Sequence, residues 1–130
     1  MIEAQGGDPR VTDDVSLLPQ APVKLDVLAP EAGSLHAMDT TYLGYIAQRL
    51  GAGRMKKDDR IDPAVGFVLH ARVGARLAKG QPVATVHART EEAARVAAEE
   101  ILRALDLRDE AAKPRKLVYA VVRRHSVQTL

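Results

Sequence analysis

Gly51-Ala-Gly53-Arg54, with Lys56 and Lys57 just behind it, is the stretch whose residue types come nearest to chemistry. Paired glycines beside three cations invite a phosphate-binding reading, but the order of elements is wrong for the usual mechanism. Nucleotide loops follow a strand and open a helix, whose positive end attracts the anion. Here a helical stretch precedes the glycines and turns its negative end toward them. A helix C-cap at Gly51 followed by a solvated loop is the plainer reading, with Asp58 and Asp59 near enough in sequence to pair with the cations.

The other candidates are weaker. His36, His70, His87 and His125 could ligate a metal, yet no two stand at helical i, i+4 spacing, and His70 and His87 belong to different predicted strands. Ser16, Ser34 and Ser126 sit in no Gly-x-Ser-x-Gly elbow. Cysteine is absent, which excludes disulfides, thiolate nucleophiles and cysteine-ligated metal centres. The carboxylates are scattered or lie beside basic neighbours. The expectation is therefore no catalytic residue, no metal site and no cofactor held by this chain.

The elements that must position the Gly51 loop are a strand pair and a helix before it, and a glycine-punctuated β unit and a second helix after it. Val23, Leu25 and Val27 alternate with Lys24 and Asp26, the period of a half-buried strand. Pro30 to Gly33 is a turn, and Ser34 to Met38 a second strand. Asp39 is a helix N-cap, followed by an apolar stripe of Leu43, Ile46, Ala47 and Leu50 at i, i+3, i+4 and i+7. Gly66 to Ala71 and Pro82 to Ala88 read as strands, with tight bends at Gly74 and Gly80 between them. Thr90-Glu91-Glu92 opens the longest helix, with Ala94, Ala97, Ala98, Ile101 and Leu105 as its buried stripe. Lys113-Pro114 ends that region, Leu117 to Val122 is a final strand, and the tail 123–130 carries no recognisable pattern. At the other end, Met1 to Gln5 followed by Gly6-Gly7-Asp8-Pro9 resembles the last turn of a helix without its beginning, so the chain is expected to be part of a longer one. Residues 1–20 then form the end of that helix and a linker.

A chain of 130 residues fits one domain, which buries roughly two thirds of the surface its unfolded form exposes. No apolar run approaches the roughly 18 residues of a membrane span, and the start lacks a basic-then-apolar leader, so a cytoplasmic protein is expected. A net charge of +2 and a supply of aromatics limited to Tyr42, Tyr45, Phe67 and Tyr119 argue against a nucleic-acid binder.

Several blocks taken together carry a resemblance. Met1-Ile-Glu-Ala-Gln-Gly-Gly-Asp8, Leu50-Gly-Ala-Gly-Arg54, Lys56-Lys57-x-Asp59, Ile61-Asp62-x-Ala64-Val65-Gly66, Leu69-His70 and Lys79-Gly80-x-x-x-Ala84-Thr85-x-His87 occur in the order found in the C-terminal domain of the pyrimidine-nucleoside phosphorylases, a family that includes thymidine phosphorylase. The chain resembles that domain from Met1 to about Val122, with the domain proper at 21–122.

The resemblance implies an α+β fold, an α/β-hammerhead with a barrel-sandwich-like β unit and two main helices. It implies an enzyme that cleaves thymidine, uridine or deoxyuridine with inorganic phosphate, giving the free base and a pentose 1-phosphate. Phosphate attacks C1′ with inversion through an oxocarbenium-like state, and domain closure brings the substrates together and expels water. The family's phosphate-binding and pyrimidine-holding residues lie in an N-terminal helical domain and an α/β domain, with no counterpart here. This chain alone is then expected to be inactive and monomeric, and the whole enzyme a homodimer formed through the helical domain. In the family, the loop matching Gly51 to Asp59 lies toward the cleft and helps hold the closed state. Gly51 and Gly53 would give it mobility, Arg54 would reach across the domain boundary, and Lys56 and Lys57 would flank the cleft.

Val73-Gly74 through Lys79-Gly80-Gln-Pro also resembles biotinyl and lipoyl carrier domains. Carriers need a modifiable lysine at a hairpin tip, whereas Val86-His-Ala-Arg-Thr90 leads into a helix with no lysine. A stand-alone interaction module is the remaining alternative.

Overall fold

The computed structural model describes residues 1–112 and 118–129. Its strands are β1 (Val23–Leu28), β2 (Gly33–Met38), β3 (Gly66–Leu69), β4 (Arg76–Leu77), β5 (Pro82–Ala88), β6 (Leu105–Arg108), β7 (Ala120–Arg123) and β8 (Ser126–Thr129), and its α-helices are α1 (Thr40–Ala47) and α2 (Glu91–Arg103). The α+β class expected from the sequence is the one observed. All strand pairs are antiparallel, arranged as β1-β5-β3, β4-β2-β6 and the hairpin β7-β8.

β1 and β2 are neighbours in the chain yet belong to different sheets. Pro30 and the turn after it send the chain from the side of β5 to the side of β4 and β6. The β unit after the Gly51 loop is divided likewise: β3 and β5 join one sheet, and β4 between them joins the other. Among the described residues neither sheet closes into a barrel.

The alternation in β1 works as expected, with Val27 inward and Lys24, Asp26 and Leu28 exposed. β5 is central in its sheet, and Val83, Ala84, Val86 and Ala88 on it are all buried. Against these strands pack Leu43 and Ile46 of α1 and Ala94, Ala97 and Ile101 of α2, in one core with Val27, Leu35 and Leu77. The alanines let α2 lie close to β1 and β5, and Ile101, fully buried, fills the space they leave.

α2 ends sooner than its apolar stripe suggests. The Ala104 N–H bonds back to Glu100 and Ile101, while its carbonyl accepts from the Asp39 N–H at 2.8 Å. Leu105 therefore opens β6 and pairs with Met38 rather than extending the helix. Asp39 caps α1 as expected, its Oδ1 accepting from the Tyr42 N–H at 2.9 Å.

The N-terminal segment is a series of single 3₁₀ turns, Glu3–Gln5, Pro9–Thr12 and Val15–Leu17, the last two capped by the side chains of Asp8 and Asp14. The tail from Arg123 supplies β8, the return strand of a hairpin. The expected stop at Lys113-Pro114 and the start of the final strand at Leu117 lie outside the described residues. No helix among the described residues is long and apolar enough to cross a membrane.

Candidate functional site: the loop after the first helix

α1 does not stop cleanly. Its last turn widens into a π-helical turn, Gln48–Ala52, in which Gly51 has φ 110° and ψ 0°. That positive φ is strained for any residue with a Cβ, so glycine is required here by backbone geometry. Gly53 is a glycine for a different reason. Its φ of −145° is ordinary, but a Cβ there would stand 3.0 Å from Gln48 Cγ. The close approach serves a hydrogen bond from the Gln48 side-chain amide to the Arg54 carbonyl.

Beyond Gly53 the chain turns on Asp59, whose Oδ2 accepts the N–H groups of Met55 at 3.0 Å and Lys56 at 2.7 Å. The chain's own carboxylate holds these two backbone donors. Asp59 thus closes the turn through backbone donors rather than through the lysine side chains. Arg54, Lys56 and Lys57 point into solvent, and among the described residues none of the three joins an ion pair. Arg60 is exposed as well, so among the described residues the loop presents four cations outside any ion pair, together with the exposed Met55 and Ile61.

Two ion pairs fix the loop's ends. On the α1 side, Arg49 Nη2 lies 2.6 Å from Glu100 Oε2 of α2, Tyr42 Oη donates to Glu100 Oε1 at 3.2 Å, and the guanidinium stands 5.8 Å from the Tyr42 ring centroid. Arg49 holds the Glu100 carboxyl below the usual glutamate range. On the β3 side, Arg89 grips both oxygens of Asp62 from Nε at 2.5 Å and Nη2 at 2.8 Å. Asp62 also accepts the Ala64 N–H at 3.0 Å and donates its own N–H to the Gly51 carbonyl at 2.9 Å. Hydrogen bonds from Arg89, then from the Ala64 amide, lower the Asp62 pKa. Spacing could not reveal either pair, because the partners are 51 and 27 residues apart.

Two of the four histidines, His36 and His70, make side-chain hydrogen bonds among the described residues. His36 Nε2 lies 2.9 Å from the Glu110 carbonyl oxygen. His70 Nε2 lies 2.7 Å from Thr85 Oγ1, and that hydroxyl donates to Asp26 Oδ1 at 2.6 Å across the β1-β5-β3 sheet. Among the described residues no three histidine, aspartate or glutamate side chains converge on a point where a metal could sit.

Comparison with known proteins places these elements. Residues 34–108, from β2 to β6 and including the whole loop, match the family model described as the pyrimidine nucleoside phosphorylase C-terminal domain. The chain is 44% identical over 90 residues to the pyrimidine-nucleoside phosphorylase of Bacillus subtilis, covering 69% of this chain and 21% of that protein. It is 41% identical over 91 residues to that of Geobacillus stearothermophilus and 35% identical over 91 residues to that of Staphylococcus aureus, each match covering 70% of this chain and 21% of the relative. The chain spans about a fifth of the length of the curated relatives it matches. By the extent of the family match and its agreement with these relatives, the chain belongs to the pyrimidine nucleoside phosphorylase C-terminal domain family.

Proposed function

We propose that this chain serves as the C-terminal domain of a pyrimidine-nucleoside phosphorylase and lends its loop 51–59 to one wall of a cleft whose reacting groups lie on other domains. The observation that carries this reading is the match over residues 34–108, which contains the loop and both of its anchors. In the reaction a phosphate oxygen forms a bond to C1′ of the nucleoside. The C1′–N bond breaks, its electron pair leaves with the base, and the base takes up a proton. Inorganic phosphate is the co-substrate, thymidine, uridine or deoxyuridine the nucleoside, and the helical and α/β domains supply the groups that hold both. The whole enzyme is a cytoplasmic homodimer, and this domain on its own is monomeric and inactive.

Arg54, with Lys56 and Lys57 beside it, is free to face an anionic or polar surface across the cleft, while Gly51 and Gly53 sit where the loop leaves the helix. Closure of such a loop excludes water from the oxocarbenium-like state. The carrier-domain reading is not favoured, since β5 passes through Arg89 and Thr90 straight into α2 and forms no hairpin tip. Replacing the matching part of the Bacillus subtilis relative with this chain gives the test. The fusion should release free base and pentose 1-phosphate from a pyrimidine nucleoside only when phosphate is present. A folded fusion that releases neither would overturn the reading.

A further inference from the structure

We propose that Asp62 is a positioning residue, held by the two-pronged grip of Arg89, and that this pair sets where loop 53–61 stands relative to the rest of the domain. The inference rests on the reading that the loop lines a cleft, and adds which residues determine its place.

Three elements meet at this one residue. Its backbone N–H reaches the Gly51 carbonyl at the end of the α1 turn, its Oδ1 receives the Ala64 N–H just before β3, and both oxygens receive Arg89 from the end of β5. Arg89 is the fixed partner. Its backbone lies between β5, central in its sheet, and Thr90, whose hydroxyl accepts the Ala93 N–H and so starts α2. Asp62 is the held partner, at the returning end of a loop whose own side-chain hydrogen bonds stay within it or go back to Gln48. A guanidinium bound through two parallel N–H groups constrains direction as well as distance, which an ammonium cannot do. Gly51 and Asp62 thus form the closed base of the loop, and Asp59 closes its tip. Arg54, Lys56 and Lys57 then stand on a turn aimed by its base rather than on a tether.

Hydrogen exchange on this chain, with kinetics on the fusion, tests the proposal. Asp62→Asn and Arg89→Gln should each raise exchange of the Asp62 and Ala64 amides by about tenfold or more, with the β5 and α2 amides unchanged. Arg89→Lys, which keeps the charge and loses the fork, should raise it by an intermediate factor. In the fusion, Asp62→Asn should lower kcat/KM about tenfold while the melting temperature stays nearly constant. Unchanged loop protection in both neutral variants would overturn the proposal, as would an equal rise across β5 and α2, which marks a general structural pair. Full protection in Arg89→Lys would do the same, since the fork would then be irrelevant. If the unaltered fusion shows no phosphorolysis, the enzymatic reading fails while the exchange data still decide the role of Asp62.

Discussion

Arg49 and Glu100, 51 residues apart, join the end of the first helix to the last turn of the second through a contact of 2.6 Å. The pair sits over Tyr42 at the edge of the core, with the Glu100 side chain 22% exposed and that of Arg49 41% exposed.

Because the Glu100 carboxyl titrates below its ordinary value of 4.5, with Arg49 the largest cause, its contribution to stability is fully present above that value. It is lost as pH falls through the lower, folded-state value. Glu100→Gln should cost on the order of 0.5–1 kcal/mol at pH 7, and the variant and the parent should converge in strong acid. Urea denaturation at pH 7 and at successively lower pH measures both, and a difference that did not shrink as the pH fell would exclude the ion pair as its source.

Ile101 is fully buried where α2 meets the sheets, among the alanines that let the helix approach. Ile101→Ala should destabilise the domain by about 2–5 kcal/mol, since the surrounding strands cannot follow the helix inward to close the void. Ala98→Ser, on the same helix but only partly buried, should cost much less. Equilibrium unfolding of the two variants decides it, and comparable losses would mean that this part of the core is loosely packed.

The two loop glycines should separate cleanly. At Gly51 an added Cβ meets Val65 and Asp62 only at ordinary contact distance, 3.5 and 3.8 Å, so the cost of Gly51→Ala is backbone strain, roughly 1–2 kcal/mol. At Gly53 the cost is contact with Gln48, and Gln48→Ala, which removes Cγ and leaves Cβ at 3.3 Å, should relieve part of it. A double-mutant cycle over Gln48→Ala and Gly53→Ala should therefore show coupling, while Gln48→Ala should leave the cost of Gly51→Ala untouched. Additive behaviour at Gly53 would refute the close-approach explanation.

Much of this architecture was legible in the sequence, and the failures have a common cause. The caps at Asp39 and Thr90, the alternation in β1, the bounds of β5 and the left-handed glycine at Gly51 are all local, fixed by residues within a few positions of one another. What sequence could not supply was partnership across distance. β1 and β2 look like a hairpin until β5 and β6 claim them separately, and Leu105 fits the helical stripe until pairing with Met38 draws it into a strand. The cations of the loop were plain to see. The arginines that anchor it, Arg49 and Arg89, looked like any surface charge, because their carboxylates lie far along the chain.

Arg54 tests the account most directly. Its side chain is exposed and joins no ion pair among the described residues, so the domain itself should not need it. In the fusion with the Bacillus subtilis relative, Arg54→Ala should raise KM or lower kcat so that kcat/KM drops about tenfold, roughly 1.4 kcal/mol of transition-state stabilisation. The melting temperature of the isolated chain should move by less than about 2 °C. Unaltered kcat/KM would contradict a cleft-facing role for the loop, and an equal loss of stability in chain and fusion would make Arg54 a structural residue instead.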